Sequence, residues 1–262
     1  MRKPSEAFIG LALVLIAGGA ILFSVMMTLL GWNFTRLDTR KFEQESITKE
    51  ADIQKISIKA GTADVRITES TDGKFHVDFN VLKSSKREVT VDGDTLTISY
   101  TEDRKWNDFV FTLKSPKITV AVPGKQYELM KVNNSTGDLT LESGFMFDTV
   151  DIIVSTSEVS IGELKATDVS IRTSTGDVTI NGLTADTVTI KGSTSDIELK
   201  TLTIGKSISI ETSTGDVDCF FTHDVNVDAK ASTGRVKTDS SQNGVPCKIR
   251  TSTGDITVKK EK

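Results

Sequence analysis

Down the second half of the chain, apolar and polar residues alternate in short runs that return at a fixed interval. With the Thr of each Ser-Thr pair as reference, the residues four positions earlier are Val132, Ile152, Ile171, Ile190, Ile210, Ala229 and Ile249. Three positions later stand Leu139, Val159, Val178, Ile197, Val217, Val236 and Ile256, and five later Leu141, Ile161, Ile180, Leu199, Cys219, Thr238 and Val258. Polar residues separate these positions, so each run reads as a strand with one buried face. The reference residues are Thr136, Thr156, Thr175, Thr194, Thr214, Thr233 and Thr253, spaced by 20, 19, 19, 20, 19 and 20 residues. So steady a period predicts a repeat architecture. One such run cannot bury its apolar face alone, whereas stacking successive runs at about 4.8 Å closes a core and pairs the backbones. The expected fold is all-β: a β-solenoid of 19–20-residue coils.

Each repeat carries a unit like TSTGDVTI at Thr173–Ile180; the others read NSTGDLTL, VSTSEVSI, GSTSDIEL, TSTGDVDC, ASTGRVKT and TSTGDITV. Inward positions fall at even offsets before Gly-Asp and at odd offsets after it, so the chain turns a corner there. Gly reaches positive φ at no steric cost and Asp bonds local backbone, which makes their recurrence corner chemistry. Leu164, Leu183 and Leu202 add a further inward position.

The same skeleton begins earlier. Ile56, Ile58 and Ala60 lead to Thr62, with Asp64, Val65 and Ile67 behind it, so the solenoid is expected over residues 53–262, irregular at 68–128. Thr71-Asp72-Gly73 between two alternating runs predicts a hairpin. Val89/Val91 and Leu96/Ile98 flank Asp92-Gly93-Asp94, while Phe109, Phe111 and Leu113 precede Ser115-Pro116 and Ile118/Val120. Degenerate coils and an antiparallel meander both fit this stretch.

Ala7–Leu30 holds 24 residues without a charge. At about 1.5 Å per residue this is roughly 36 Å, enough to cross a hydrocarbon core of about 30 Å. A signal peptide has a shorter apolar core ending at small residues. Here Ala17-Gly18-Gly19-Ala20 lies in mid-span, and no Cys follows for a lipid anchor. The segment 7–30 is therefore expected to be an uncleaved transmembrane helix. Residues 1–6 would be cytoplasmic, 31–52 a juxtamembrane spacer anchored by Phe42 and Ile47, and the C-terminal domain extracellular. Arg2 and Lys3 before the span are offset by Arg36, Arg40 and Lys41 after it, so orientation rests on the shortness of the N-terminus. Trp32 would sit at the interface, and the stripe Ala20, Ser24 and Thr28 offers a face for self-association between spans.

Lys+Arg 32 against Asp+Glu 36 gives a net charge of −4, without the basic excess that binds nucleic acid. Two cysteines and two histidines leave no metal cluster. Cys219 and Cys247 fall at inward positions two coils apart, as buried small hydrophobes rather than a disulfide. The charges of Lys259, Lys260 and Lys262 would protect a final edge strand.

The position two after Thr holds Asp138, Glu158, Asp177, Asp196, Asp216, Arg235 and Asp255. In register these form a ladder at about 5 Å spacing, with mutual repulsion that Arg235 would relieve by interrupting it between Asp216 and Asp255. As corner residues each is satisfied by its own backbone; as a calcium edge, Asp138, Asp177, Asp196, Asp216 and Asp255 would supply carboxylate oxygens. Calcium-binding solenoids use denser Gly and Asp, so the corner role is preferred. The Ser before each Thr would face outward, giving a flat hydroxyl array suited to solubility or to sugar or ice. His76 and His223 are isolated, no nucleophile–base order appears, and no cofactor or enzymatic activity is expected. Surface contacts are better sought where the repeat fails: at Trp106, Phe145-Met146-Phe147, Phe220-Phe221 and Arg235.

ADIQKISIKAGTADVRI followed by serial STGD-V-x-I units resembles the bacterial β-strand-repeat "putative adhesin" family, formally a domain of unknown function. The resemblance covers about Phe42–Lys260. It implies a β-solenoid, often in Gram-positive bacteria, in some members membrane-anchored and encoded beside envelope-stress systems, with no catalytic residues to carry over. The implied function is non-catalytic, adhesin-like surface binding, for example of cell-wall polymer. The alternative is a regulator of envelope stress acting through a membrane signalling protein.

Overall fold

The computed structural model describes residues 4–33, 41–102 and 114–261. Within them lie an N-terminal helix and a β unit, which are treated separately.

Helix α1 (Pro4–Leu29) is apolar and long enough, over Phe8–Leu29, to cross a membrane. Two of its hydroxyls are satisfied inside the helix: Ser24 Oγ donates to Ala20 O and Thr28 Oγ1 to Ser24 O, each at 2.8 Å. Gly31 stops it. At φ 65° that residue lets its own N–H reach Thr28 O at 3.1 Å and the Trp32 N–H reach Met27 O at 2.7 Å, the paired bonds of a Schellman ending.

The β unit is one sheet of 18 strands, wound as stacked rungs around an apolar core. Its centre is parallel and in register: β10 (Phe145–Thr156), β11 (Val159–Thr175), β12 (Val178–Lys191) and β13 (Ile197–Thr214). Ile152 lies beside Ile171, Ile171 beside Ile190, and Ile190 beside Ile210. Each rung thus covers the apolar row that its neighbour leaves open, and along these four strands the inward columns read from the sequence are buried.

Rung order does not follow chain order at either end. After β14 (Val217–Phe221) come β15 (Val225–Thr233), β16 (Val236–Thr238), β17 (Val245–Thr253) and β18 (Ile256–Lys260). Yet β13 pairs with β17, β14 with β18, and the β15–β16 rung lies beyond them. The later segment, with Cys247, Ile249, Ile256 and Val258 fully buried, takes the site covered on both sides. The segment with Ala229, Ala231 and a 44 % exposed Val236 takes the end, which buries the greater apolar area. Three expectations change as a result. Lys259 and Lys260 lie on an inner strand, Cys219 and Cys247 occupy adjacent rungs, and Arg235 ends the ladder instead of interrupting it. Both cysteines are free and buried, and burial raises the thiol of Cys219 well above its ordinary value and that of Cys247 to about 12.

At the other end, β2 (Lys55–Gly61) and β3 (Asp64–Glu69) lie inside the stack. On one side are β8 (Gln126–Asn134) and β9 (Leu139–Leu141); on the other are β6 (Thr95–Thr101) and β7 (Lys117–Val122). The stretch 68–128 combines both open alternatives. β6 and β7 are parallel to β2 and β3, whereas β5 (Lys86–Asp92) folds antiparallel on β6 and β4 (Phe75–Leu82) antiparallel on β7. The Asp72-Gly73 turn forms, but its flanking strands do not pair as a hairpin, because β7 lies between β3 and β4. Phe42–Lys49, expected as spacer, is strand β1, antiparallel to β4, with Ile47 opposite Val77. Its sparse apolar content suits a cap. Arg87 on β5 reaches Glu43 and Glu45 of β1, latching the two strands together.

Candidate functional site

The recurrent corner is built from backbone outward. At Gly176 φ is 120°, and a Cβ there would stand 2.1 Å from Ser157 O. Glycine is thus required both by conformation and by the approach of the neighbouring rung. Inside the corner, two positions before the reference Thr, Asn134 donates Nδ2 to Ala63 O and Gly137 O at 3.0 and 2.6 Å. Thr212 and Thr251, at the equivalent position, donate their hydroxyls to Thr214 O and Thr253 O, each at 3.2 Å. This inner polar column was not recognisable in the sequence, where the position holds Asn, Val, Thr, Gly or Ala.

The carboxylates serve the next rung. Oδ1 of Asp138 accepts the Glu158 N–H at 3.0 Å, that of Asp177 the Asp196 N–H at 3.1 Å, and that of Asp196 the Asp216 N–H at 2.8 Å. Asp216 then serves Asp255 at 2.7 Å, and Asp255 serves Arg235 at 2.8 Å. Each Asp is therefore satisfied by its neighbour's backbone, not its own. Asp177, Asp196 and Asp216, with Glu198 and Asp218, line an acidic depression of about 230 Å³. Among the described residues no group of three or more His, Cys, Asp or Glu side chains is placed to hold a metal ion. The Ser and Thr beside the corner are all exposed, forming a continuous hydroxyl rail.

A groove of about 440 Å³ lies on the outer face of the central rungs. Strand alternation decides its lining. Phe145 and Phe147, expected as surface contacts, are 2 % exposed and belong to the core, where Phe147 packs on Tyr127 at 5.6 Å between ring centroids. Met146 between them points out and is 39 % exposed. It heads a row in register, Met146 beside Lys165, Lys165 beside Thr184, and Thr184 beside Thr203. Glu163, Asn181, Gly182 and Thr201 also line it. Thr201 holds a φ of 50°, costly for a β-branched residue, and its N–H donates to Glu261 Oε1 at 3.2 Å.

The remaining expected contacts are dispersed. Phe220 is half-buried with Lys259 Nζ 6.0 Å from its ring centroid, and Phe221 is buried. Arg235, its side chain 91 % exposed, stands at the end of the stack. Trp106, with Phe109 and Phe111, lies outside the described residues.

The fold is similar to that of a "putative adhesin" from Bacteroides fragilis NCTC 9343. Sequence identity is 19 %, the match covers 86 % of this chain and 99 % of that one, and the TM-score is 0.59. A "putative adhesin" from Parabacteroides merdae matches at 14 % identity over 85 % and 97 % of the two chains, with a TM-score of 0.48. A "putative lipid binding protein" from Parabacteroides distasonis matches at 16 % over 86 % and 98 %, with a TM-score of 0.43. No curated protein matches the chain. The model of one family, described as Toastrack DUF4097, matches residues 53–262, and the chain belongs to that family.

Proposed function

We propose that this chain is a non-catalytic surface-binding module, anchored in the cell membrane by α1, with its β unit outside the cell and built as a solenoid of 19–20-residue coils. The observation that carries this reading is the groove on the central rungs. Its row of Met146, Lys165, Thr184 and Thr203 sits on four strands locked in register, so a ligand meets a preorganised surface. The rung spacing of about 4.8 Å is close to the length of a pyranose ring. Thr hydroxyls and the Asn181 amide suit sugar hydroxyls, the Met146 side chain suits a sugar-ring face, and Lys165 suits a phosphate or carboxylate substituent. The ligand class is therefore an anionic cell-wall glycan. The name given to the Bacteroides fragilis protein agrees with a binding role.

The test is retention of the full-length protein, held in detergent micelles, on purified cell walls. Wild type is expected to be retained, and Lys165→Glu and Met146→Ala to be lost at unchanged melting temperature. Retention no better than that of a control protein would remove the reading. Co-purification of a membrane protein in its place would favour a regulator.

A further inference from the structure

The groove on the central rungs ends at a strained residue. Its lining runs from β10 to Thr201 and Thr203 of β13, although β14 and further rungs continue the stack. The corner itself changes there. Two residues separate the inward positions Ile161 and Leu164, Ile180 and Leu183, and Leu199 and Leu202, which stand in register. On β14 the partners of Leu199 and Leu202 are Cys219 and Phe221, with Phe220 alone between them. That rung is one residue short, so the corner of β13 has no matching corner on that side.

Thr201 carries the mismatch. By count from the paired positions its equivalents on β11 and β12 are Glu163 and Gly182, and neither has a positive φ, although glycine would take one freely. Thr201 does, at 50°, where a β-branched side chain crowds its own backbone. A conformation of this kind persists only where the surroundings hold it. The holding group comes from the end of β18. The Glu261 N–H donates to Phe221 O at 2.8 Å, which fixes that residue beside the short rung. Its carboxylate reaches back across the rung, and Oε1 accepts from the Thr201 N–H at 3.2 Å and from Thr201 Oγ1 at 3.4 Å. The amide that the missing residue leaves without a backbone neighbour is thereby satisfied.

The groove depends on this arrangement. Thr203, two residues after Thr201, ends the outward row, and its hydroxyl stands 2.9 Å from that of Thr222 on the next rung. With Thr201 relaxed to negative φ, the chain would enter Leu202 and Thr203 along a different path, and the row would lose the register of its last member. The shape of this end is thus set by a residue 60 positions later in the chain that does not itself line the groove.

We propose that Glu261 is a positioning residue for the groove, holding Thr201 in the left-handed conformation and so fixing the end of the binding row at Thr203. This role presupposes that the groove is the binding site, and the carboxylate acts through the chain, not on the ligand. Two measurements on the full-length protein in detergent micelles test it. On purified cell walls, Glu261→Ala is expected to lose most of the retention of wild type. Glu261→Gln, whose side-chain oxygen still accepts the Thr201 N–H, is expected to keep it. In urea, Thr201→Gly removes the strain and is expected to raise the midpoint of wild type. Made in Glu261→Ala, where Thr201 has already relaxed, the same substitution is expected to raise it less. A bond that served stability alone would give equal gains in the two backgrounds. Equal gains, or Glu261→Ala retained as well as wild type, would overturn the proposal. Wild type that is itself not retained would instead remove the groove as the binding site, and the urea comparison would still decide whether Glu261 holds Thr201.

Discussion

Arg235 closes the carboxylate ladder on Asp255, a residue twenty positions later in the chain. Its N–H donates to Asp255 Oδ1 at 2.8 Å, and Nε and Nη2 donate to Oδ2 at 3.1 and 3.0 Å. The backbone bond, then the guanidinium, holds the Asp255 carboxyl below its ordinary range. A cation is placed where the ladder has no further amide to serve, at the terminal rung. At Asp138, Asp177, Asp196 and Asp216 the carboxylate is explained by the amide it accepts, and its charge is incidental to that bond.

A carboxylate used as an amide acceptor can be replaced by a neutral acceptor. Asp196→Asn should keep the bond to the Asp216 N–H and remove like-charge repulsion from Asp177 and Asp216, leaving the urea midpoint unchanged or raised. Asp196→Ala should cost about 1 kcal/mol, the usual net value of a hydrogen bond. If Asn proves as damaging as Ala, the charge itself matters. Added calcium should leave the melting temperature of both variants and wild type unmoved.

Gly176 and Gly73 both have positive φ, at 120° and 74°, but only Gly176 lies under a neighbouring rung. Gly73→Ala meets nothing within 4 Å and carries only the left-handed backbone penalty, about 1–2 kcal/mol. Gly176→Ala adds a clash with the Ser157 carbonyl and should destabilise distinctly more than Gly73→Ala. Chemical denaturation of the two variants side by side gives the comparison.

The column legible in the sequence was the apolar one, because alternation in a strand maps directly onto burial. Rung order was not legible. Parallel pairing by a 19–20-residue repeat looks the same whichever copy is the neighbour, and the choice turned on Ala229, Ala231 and Val236 being poorer core residues than Ile249, Ile256 and Val258. β1 was missed because its apolar residues, Phe42 and Ile47, are few, and its pairing partner lies in the irregular stretch. In Phe145-Met146-Phe147 the two aromatic side chains go to the core, and parity alone identifies Met146 as the one that faces out.

Equivalent threonines at the inner corner are not equally satisfied. Thr251 Oγ1 donates to Thr253 O at 3.2 Å, whereas the buried Thr173 hydroxyl has no partner among the described residues. Thr251→Val should therefore lose about 1 kcal/mol. Thr173→Val removes an orphaned polar group and should be neutral or stabilising. A lowered urea midpoint for Thr251→Val and an unchanged or raised one for Thr173→Val is the expected result.

Asp72 gives the acid limb of stability a local source. Its Oδ1 accepts from His76 Nε2 at 2.8 Å, Ser70 Oγ at 2.9 Å and the Lys74 N–H at 3.1 Å. The His76 bond foremost, then those from Lys74 and Ser70, lower its carboxyl from 3.8 to about 2. His76 Nδ1 stands 3.1 Å from Thr48 Oγ1 on β1, so the same ring touches both the turn and the capping strand. A folded value below the unfolded one stabilises fully above the unfolded value, and the contribution fades as pH falls through the folded one. The stability gap between wild type and Asp72→Ala should thus be constant above about pH 5, shrink between about pH 4 and pH 2, and vanish below. Urea titrations across that range measure it, and a gap unchanged to about pH 2 would show that the turn, not the ionised carboxylate, carries the effect.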